Sequence, residues 1–264
     1  MEEYKYSGNY DDPLLSYLYD QEEKYTDDIE LLRRLIGSLG QLNILECFSG
    51  TGRILIPLAQ DGHIITGSEI AQAMNARAVE KIAKLGNDIK SRVTLKVQDV
   101  LDGQWGADYD LVIMGANAFY ELPSAATQEK CIIYAYESLI AGGYLYIDNN
   151  DFNGDWNEDS FGKERVIFEG KDESGNYGRY TMTGHKVDKE NGILYIKRGC
   201  LRRNADGSEE YKEYIGKKHP VTAGEVENWL KKYRFNIIHL FGDRKGTSYG
   251  SGSDRAIFWA QKRR

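Results

Sequence analysis

Between residues 43 and 148 five short apolar runs alternate with segments of helical period, and this alternation constrains the fold more than any other feature of the chain. The runs fall at 43–46, 63–67, 93–97, 110–114 and 144–148. Helical spacing lies between them at 54–60, 70–85 and 124–140. Strands this short and this apolar are buried on both faces. Strands that alternate with helices pair in parallel through crossovers, so the pattern predicts a doubly wound α/β sheet. Pro57 fits the 54–60 helix only if it stands in the first turn, where a missing N–H costs nothing. Gly86 closes the second helix and Gly142-Gly143 stop the third.

The alternation breaks after residue 150. From 165 to 219 the segments are longer, alternate apolar with polar residues, and are punctuated by Asn191-Gly192 and Asp206-Gly207, preferred pairs for tight hairpin turns. The stretches 177–187, 193–203 and 209–217 read as an antiparallel sheet. Thr222 and Glu225 have capping-box spacing ahead of Val226, Trp229, Leu230 and Tyr233, so a helix follows. The runs 235–241 and 255–260 read as two last strands on an antiparallel edge, which brings the main sheet to seven. At the front, an aromatic stretch with Tyr4, Tyr6, Tyr10, Tyr17, Tyr19 and Tyr25 precedes a helix that opens on Thr26-Asp27-Asp28 and runs to Gly40. The expected organisation is an N-terminal helical and aromatic arm over residues 1–40, a core over 41–150 and 221–264, and a β-rich insertion over 151–220 that serves as a lid or an oligomer contact.

Composition excludes several function classes. The chain has 34 basic and 41 acidic residues, a net charge of −7, which disfavours a broad nucleic-acid surface. No apolar stretch is long enough to cross a bilayer. The polar, acidic start is unlike a targeting peptide, so a cytoplasmic protein is expected. Cys47, Cys131 and Cys200 are odd in number and scattered, which suggests no disulfide framework, and the four histidines show no metal-ligand spacing, so no metal is expected.

The loop from Glu46 to Arg53, with Cys47, Phe48, Ser49, Gly50, Thr51 and Gly52 between, joins the first strand to the first helix of the alternation. Gly50 and Gly52 let backbone approach a ligand, at the carboxyl end of the strands where open α/β sheets bind. The third glycine of the dinucleotide pattern G-x-G-x-x-G is replaced by Leu55, so a nicotinamide cofactor is the weaker reading. Glu69 ends the second strand 17 positions beyond Gly52, where a carboxylate can accept both ribose hydroxyl hydrogens. Gln98, Asp99 and Val100 end the third strand, where Asp99 can accept from an adenine amino group and Val100 can pack on the ring.

With these residues in place the chain resembles the class I S-adenosylmethionine-dependent methyltransferases over residues 40–150. The resemblance implies a Rossmann-like methyltransferase fold. It places S-adenosylmethionine, which leaves as S-adenosylhomocysteine, over Tyr25, Glu46, Phe48, Gly50, Gly52, Arg53, Glu69, Ile70, Gln98, Asp99, Val100, Met114 and Gly115. Phe48 stands where most members carry glycine or alanine, as in some nucleic-acid enzymes. The Asn/Asp-Pro-Pro-aromatic signature of that branch is missing, and no proline precedes a cysteine. The fourth-strand exit, from Met114 to Pro123, resembles the corresponding stretch of glycine and sarcosine N-methyltransferases, with Asn117 on the family asparagine.

That likeness implies transfer to a small molecule, to an amine nitrogen above all. Asn117, Tyr120 and Asp148 orient or desolvate the amine, and Tyr10, Asn117, Asn150, His185 and Tyr214 contact the acceptor. Where the family carries a carboxylate-clamping arginine after its fifth strand, this chain offers Asn150, which disfavours glycine as acceptor. The implied mechanism is in-line displacement, with positioning worth on the order of 7–11 kcal/mol in the best cases. A protein or RNA methyltransferase, a non-catalytic S-adenosylmethionine binder and a homo-oligomer stay open.

Overall fold

Seven strands form the main sheet, in the order β10-β11-β5-β4-β1-β2-β3. They are β1 (Asn43–Cys47), β2 (Ile64–Glu69), β3 (Val93–Val97), β4 (Tyr109–Met114), β5 (Leu139–Asn150), β10 (Phe235–Phe241) and β11 (Arg255–Lys262). The computed structural model describes Gly8 and residues 10–264, so Tyr4 and Tyr6 of the aromatic stretch lie outside the described residues. β1 to β5 pair in parallel, while β11 runs antiparallel to both β5 and β10.

Both faces of the central strands are covered, which explains their unbroken apolar character. Leu45, Cys47, Val112, Met114, Leu145 and Ile147 point to one side, against α6 (Ala125–Ser138) and α7 (Ala223–Lys232). Ile44, Leu111, Ile113, Tyr146 and Ile257 point to the other, with α2 (Asp27–Ile36) and α3 (Leu55–Gln60). This is the two-residue alternation of a strand, with each face buried by its own helices. Pro57 is the third residue of α3, inside the first turn. Both halves of the expected capping box form at α7: Glu225 N donates to Thr222 Oγ1 at 3.2 Å and Thr222 N to Glu225 Oε2 at 2.9 Å.

Three elements differ from the sequence expectation. The third long helix ends at Ser138, and Gly142-Gly143 lie inside β5. Gly142 takes φ +83°, and the β4–β5 register shifts between Tyr109 and Leu111, so the pair bends a strand. A helix, α1 (Pro13–Glu22), occupies much of the aromatic arm. Asp12 caps it by accepting from Leu14 N at 2.8 Å, and Pro13 takes the first position, where its missing N–H is no loss. α2 ends at Ile36, with Gly37 as its cap, short of the expected Gly40.

The second sheet is antiparallel, in the order β6-β7-β8-β9, with β6 (Arg165–Lys171), β7 (Tyr177–Asp188), β8 (Ile193–Arg203) and β9 (Glu209–Lys218). It lies in the chain between β5 and α7. α1 packs on it: Leu14, Leu15 and Leu18 are buried with Phe168, Tyr180 and Cys200. α1 is also tied to the main sheet's helices. Asp20 accepts from Thr51 Oγ1 at 2.6 Å, Lys81 Nζ at 2.9 Å and Arg77 Nε at 2.9 Å, the last two on α4 (Gln72–Ala83). α1 is thereby held between the second sheet on one side and the glycine loop with α4 on the other.

Candidate active site

The carboxyl ends of β1, β2, β3 and β4 converge on the glycine loop. Parallel register places Cys47 beside both Ser68 and Met114, so the turns after β1, β2 and β4 meet at one edge. The loop doubles back through Gly52 N donating to Ser49 O at 2.8 Å. Gly50 and Gly52 take φ +53° and +79°, and Phe48 takes +60°. Space as well as conformation favours glycine at 52, because an added Cβ would lie 3.3 Å from the Ile56 side chain.

Glu69 braces this loop. Its Oε2 accepts from Gly50 N and its Oε1 from Ala71 N, both at 2.8 Å. Burial pushes its carboxyl up from the ordinary range, against these backbone donors. Each oxygen keeps a further lone pair for a ligand hydroxyl. Beyond β3, Ile70, Gln98 and Asp99 line an open groove of about 510 Å³. Asp99 Oδ1 accepts from Leu101 N, and Gln98 Nε2 donates to Gln104 O at 2.8 Å. Val100 is buried in the core and lies outside the groove lining; its carbonyl accepts from Trp105 Nε1 at 2.7 Å.

Hydrogen-bonding capacity is left over at the loop. Among the described residues, Glu46 Oε2, Ser49 Oγ and Arg53 Nε are buried and have no protein partner. Burial holds the Glu46 carboxyl well above its usual range. Unfilled buried polar atoms are costly, and a polar ligand over the loop relieves that cost. Arg53 is otherwise fixed: it forms a bidentate pair with Asp28 at 2.9 and 2.5 Å, donates to Tyr25 O at 2.9 Å, and lies 3.9 Å over the Tyr25 ring.

Beside the loop a second cavity, of about 340 Å³, opens under α1 and the second sheet. Tyr10, Tyr19, Tyr25, Phe168 and Tyr180 supply its aromatic lining. Burial pushes the phenols of Tyr10, Tyr19, Tyr25 and Tyr180 up, so they stay protonated. Glu23, Glu121, Arg165 and Arg198 are its charged residues, and Ala116 and Asn117 its floor. Glu121 pairs with Arg198 at 2.5 Å and with Lys218 at 3.1 Å. Burial pushes the Glu121 carboxyl up, but the two cations outweigh it and bring it to about 2.

Of the residues expected at the acceptor, Tyr10 and Asn117 line this cavity and the others stand back from it. Asn150 is one layer behind: its N–H donates to Asn117 Oδ1 at 2.6 Å. Tyr120 packs on the core with Lys218 5.1 Å above its ring. Tyr214 lies opposite Arg198 in the β8–β9 register and packs with the α1 cluster. His185 is exposed in a bulge of β7, away from the lining. Asp148 was expected to orient the amine, but its carboxylate is fully buried and closed by two arginines, Arg255 Nε at 2.6 Å and Arg244 Nε at 3.0 Å. It holds side chains and does not face the cavity.

The arginines that line the cavity or stand behind it escaped sequence reading because they come from distant elements. Arg165 and Arg198 stand on β6 and β8, Arg244 in the β10–β11 connection, and Arg255 at the start of β11. Asp28, also fully buried, joins them to the loop: Arg244 lies 3.8 Å from it and 4.5 Å over the Tyr25 ring, and Arg53 meets the same two residues. Among the described residues no group of three or more histidine, cysteine or acidic side chains is placed to hold a metal. No helix there is long and apolar enough to cross a membrane.

Comparison with known proteins agrees with this fold. Residues 44–143 match the model of a methyltransferase domain family. A glycine/sarcosine N-methyltransferase of Halorhodospira halochloris is 23% identical over 250 residues, 93% of this chain and 84% of that protein. Two solved structures share the fold. The sugar N-methyltransferase KedS8 of Streptoalloteichus sp. superposes with TM-score 0.73 at 18% identity, covering 95% of this chain and 93% of that one. The S-adenosylmethionine-bound amino pentose methyltransferase CalS10 of Micromonospora echinaspora superposes with TM-score 0.66 at 16% identity, covering 99% and 100%.

Proposed function

We propose that this chain, as a class I S-adenosylmethionine-dependent methyltransferase, methylates the amine nitrogen of a small molecule. The observation that carries this reading is the aromatic cavity at Asn117. It shares Tyr25 with the glycine-loop residue Arg53, so cofactor and acceptor sites adjoin. Its volume suits a ring-sized amine better than a macromolecular segment. The names of the relatives point the same way: one acts on glycine and sarcosine, and others on a sugar and an amino pentose.

S-adenosylmethionine, when bound, supplies a methyl group on an already activated sulfonium. Gly50 and Gly52 bring the backbone to it, Glu69 accepts from its ribose, Asp99 meets the adenine amino group, and Glu46 and Ser49 take up polar contacts at the loop. The chain's remaining task is to align a neutral amine and exclude water. The lining fits that task, since its phenols stay protonated and Glu121 is committed to Arg198 and Lys218. The amine therefore enters neutral or gives its proton to solvent or to Glu23, the other acid of the lining, and positioning is the main catalytic device.

A screen for S-adenosylhomocysteine release over amino acids, amino sugars, simple amines and phenols tests the proposal. Turnover with one or more amines, with the methyl group on nitrogen, is expected. Transfer only to phenols would overturn the choice of nitrogen. Tight S-adenosylmethionine binding with no transfer to any small molecule would overturn the small-molecule reading.

A further inference from the structure

Resting on that reading of the site, we infer that Arg255 is a positioning residue for methyl transfer: it fixes the Asn117 side-chain amide so that its NH2 group faces the acceptor cavity. Asn117 Oδ1 receives two donors, Asn150 N at 2.6 Å and Arg255 Nη2 at 3.2 Å. A backbone N–H and a guanidinium only donate, so the amide oxygen must be the atom turned toward them. The NH2 end is then left toward the cavity that Asn117 lines.

Arg255 is suited to this because each of its nitrogens has a different acceptor. Nε donates to Asp148 Oδ1 at 2.6 Å, Nη1 to Asn150 Oδ1 at 2.8 Å and Nη2 to Asn117 Oδ1. Only a planar fork reaches three acceptors at once, and a lysine in its place keeps one. The fork is anchored from behind, since Asp148 Oδ2 is held by Arg244 Nε at 3.0 Å. The backbone it serves is unusual: Ala116 and Asn117 take φ +54° and +64° in succession, although neither is glycine. Such a turn persists only where its surroundings over-determine it. Here Asn117 N donates to Asp148 O at 3.0 Å, and Arg255 closes the far side.

The consequence concerns acceptor choice. An NH2 group pointing into the cavity donates, and donating to the amine lone pair would quench the nucleophile. Asn117 therefore grips an oxygen of the acceptor, and the preferred amines carry a hydroxyl, ether or carboxylate oxygen near the nitrogen. Amines without such an oxygen, cyclohexylamine among them, are poor acceptors.

The test uses Arg255→Gln and Arg255→Lys in the full chain saturated with S-adenosylhomocysteine, with the Asn117 side-chain NH2 signal assigned by its loss in Asn117→Asp. In Arg255→Gln that signal is expected to shift or broaden, and in Arg255→Lys to change less. With an amine accepted in the screen, kcat is expected to fall by about tenfold or more while KM for S-adenosylmethionine stays within about twofold, and Arg255→Lys recovers part of the loss. An unchanged Asn117 signal in Arg255→Gln overturns the inference, and so does equal loss of cofactor affinity and turnover in both variants. The spectral arm needs no methyl acceptor, so it stands whether or not the proposed function survives its own screen.

Discussion

Replacing Asp148 by asparagine is expected to cost stability far more than cofactor affinity. The carboxylate is fully buried and each oxygen is paired with a guanidinium, at 2.6 Å to Arg255 and 3.0 Å to Arg244. Breaking a buried ion pair by removing one partner costs about 3–5 kcal/mol, because the remaining charge stays desolvated. Asparagine keeps the shape and one acceptor oxygen, and the arginine side chains retain 10% and 15% exposure, so the lower end applies. For a chain of this size about 3 kcal/mol corresponds to a fall in Tm of roughly 6–12 °C. Differential scanning calorimetry reads that fall directly. Isothermal titration with S-adenosylmethionine on the same variant is expected to stay within about threefold of wild type, under about 1 kcal/mol. A variant with wild-type Tm and abolished turnover would refute the reasoning, because it would return Asp148 to the role of orienting the amine.

Three other outcomes follow from the geometry. Glu69→Ala removes the acceptor braced against Gly50 and Ala71, and calorimetry is expected to show S-adenosylmethionine affinity falling by roughly 10–100-fold, the worth of charge-assisted hydrogen bonds. Equal affinities would remove Glu69 from the ribose. Glu121 and Glu225 are both brought down to about 2 from 4.5, Glu121 by Lys218 and Arg198 against burial and Glu225 chiefly by His219. A depressed carboxyl stabilises above its unfolded value and loses that contribution as pH falls through the folded one. Tm should therefore drop between about pH 4.5 and pH 2, and Glu121→Gln should flatten part of that slope. Arg165→Ala, on the cavity lining, is expected to raise KM for an acceptor carrying a carboxylate and to leave uncharged amines unaffected; equal effects on both would show no role in charge recognition.

The cofactor half of the site was legible in the sequence because its ligating residues sit at the ends of consecutive strands. Glu46, Gly50, Gly52, Glu69 and Asp99 lie within 54 residues of one another, each announced by the apolar run before it. Asn117 was legible for the same reason. Its surroundings were not, since the cavity is assembled from α1, β6, β7 and β8, and no spacing rule links Tyr10 to Arg198. Arg255 illustrates the limit: β11 reads as a strand, but nothing local says that its first residue reaches Asp148 on β5 and Asn117 beyond it. Asp148 shows the converse. An acid at the end of a parallel strand reads as functional, and its burial between two arginines becomes visible only in three dimensions. α1 was missed because its helical signals, the Asp12 cap and Pro13 at the first turn, are short and lie among tyrosines that carry no clear period.

The central claim is most directly tested by following labelled methyl from S-adenosylmethionine into a small amine and locating it by mass spectrometry and NMR. The account predicts a product that carries the labelled methyl in place of one hydrogen, on nitrogen, formed by wild type and strongly reduced in Asn117→Ala with cofactor binding intact. Methylation on oxygen alone, or turnover indifferent to Asn117, would contradict it.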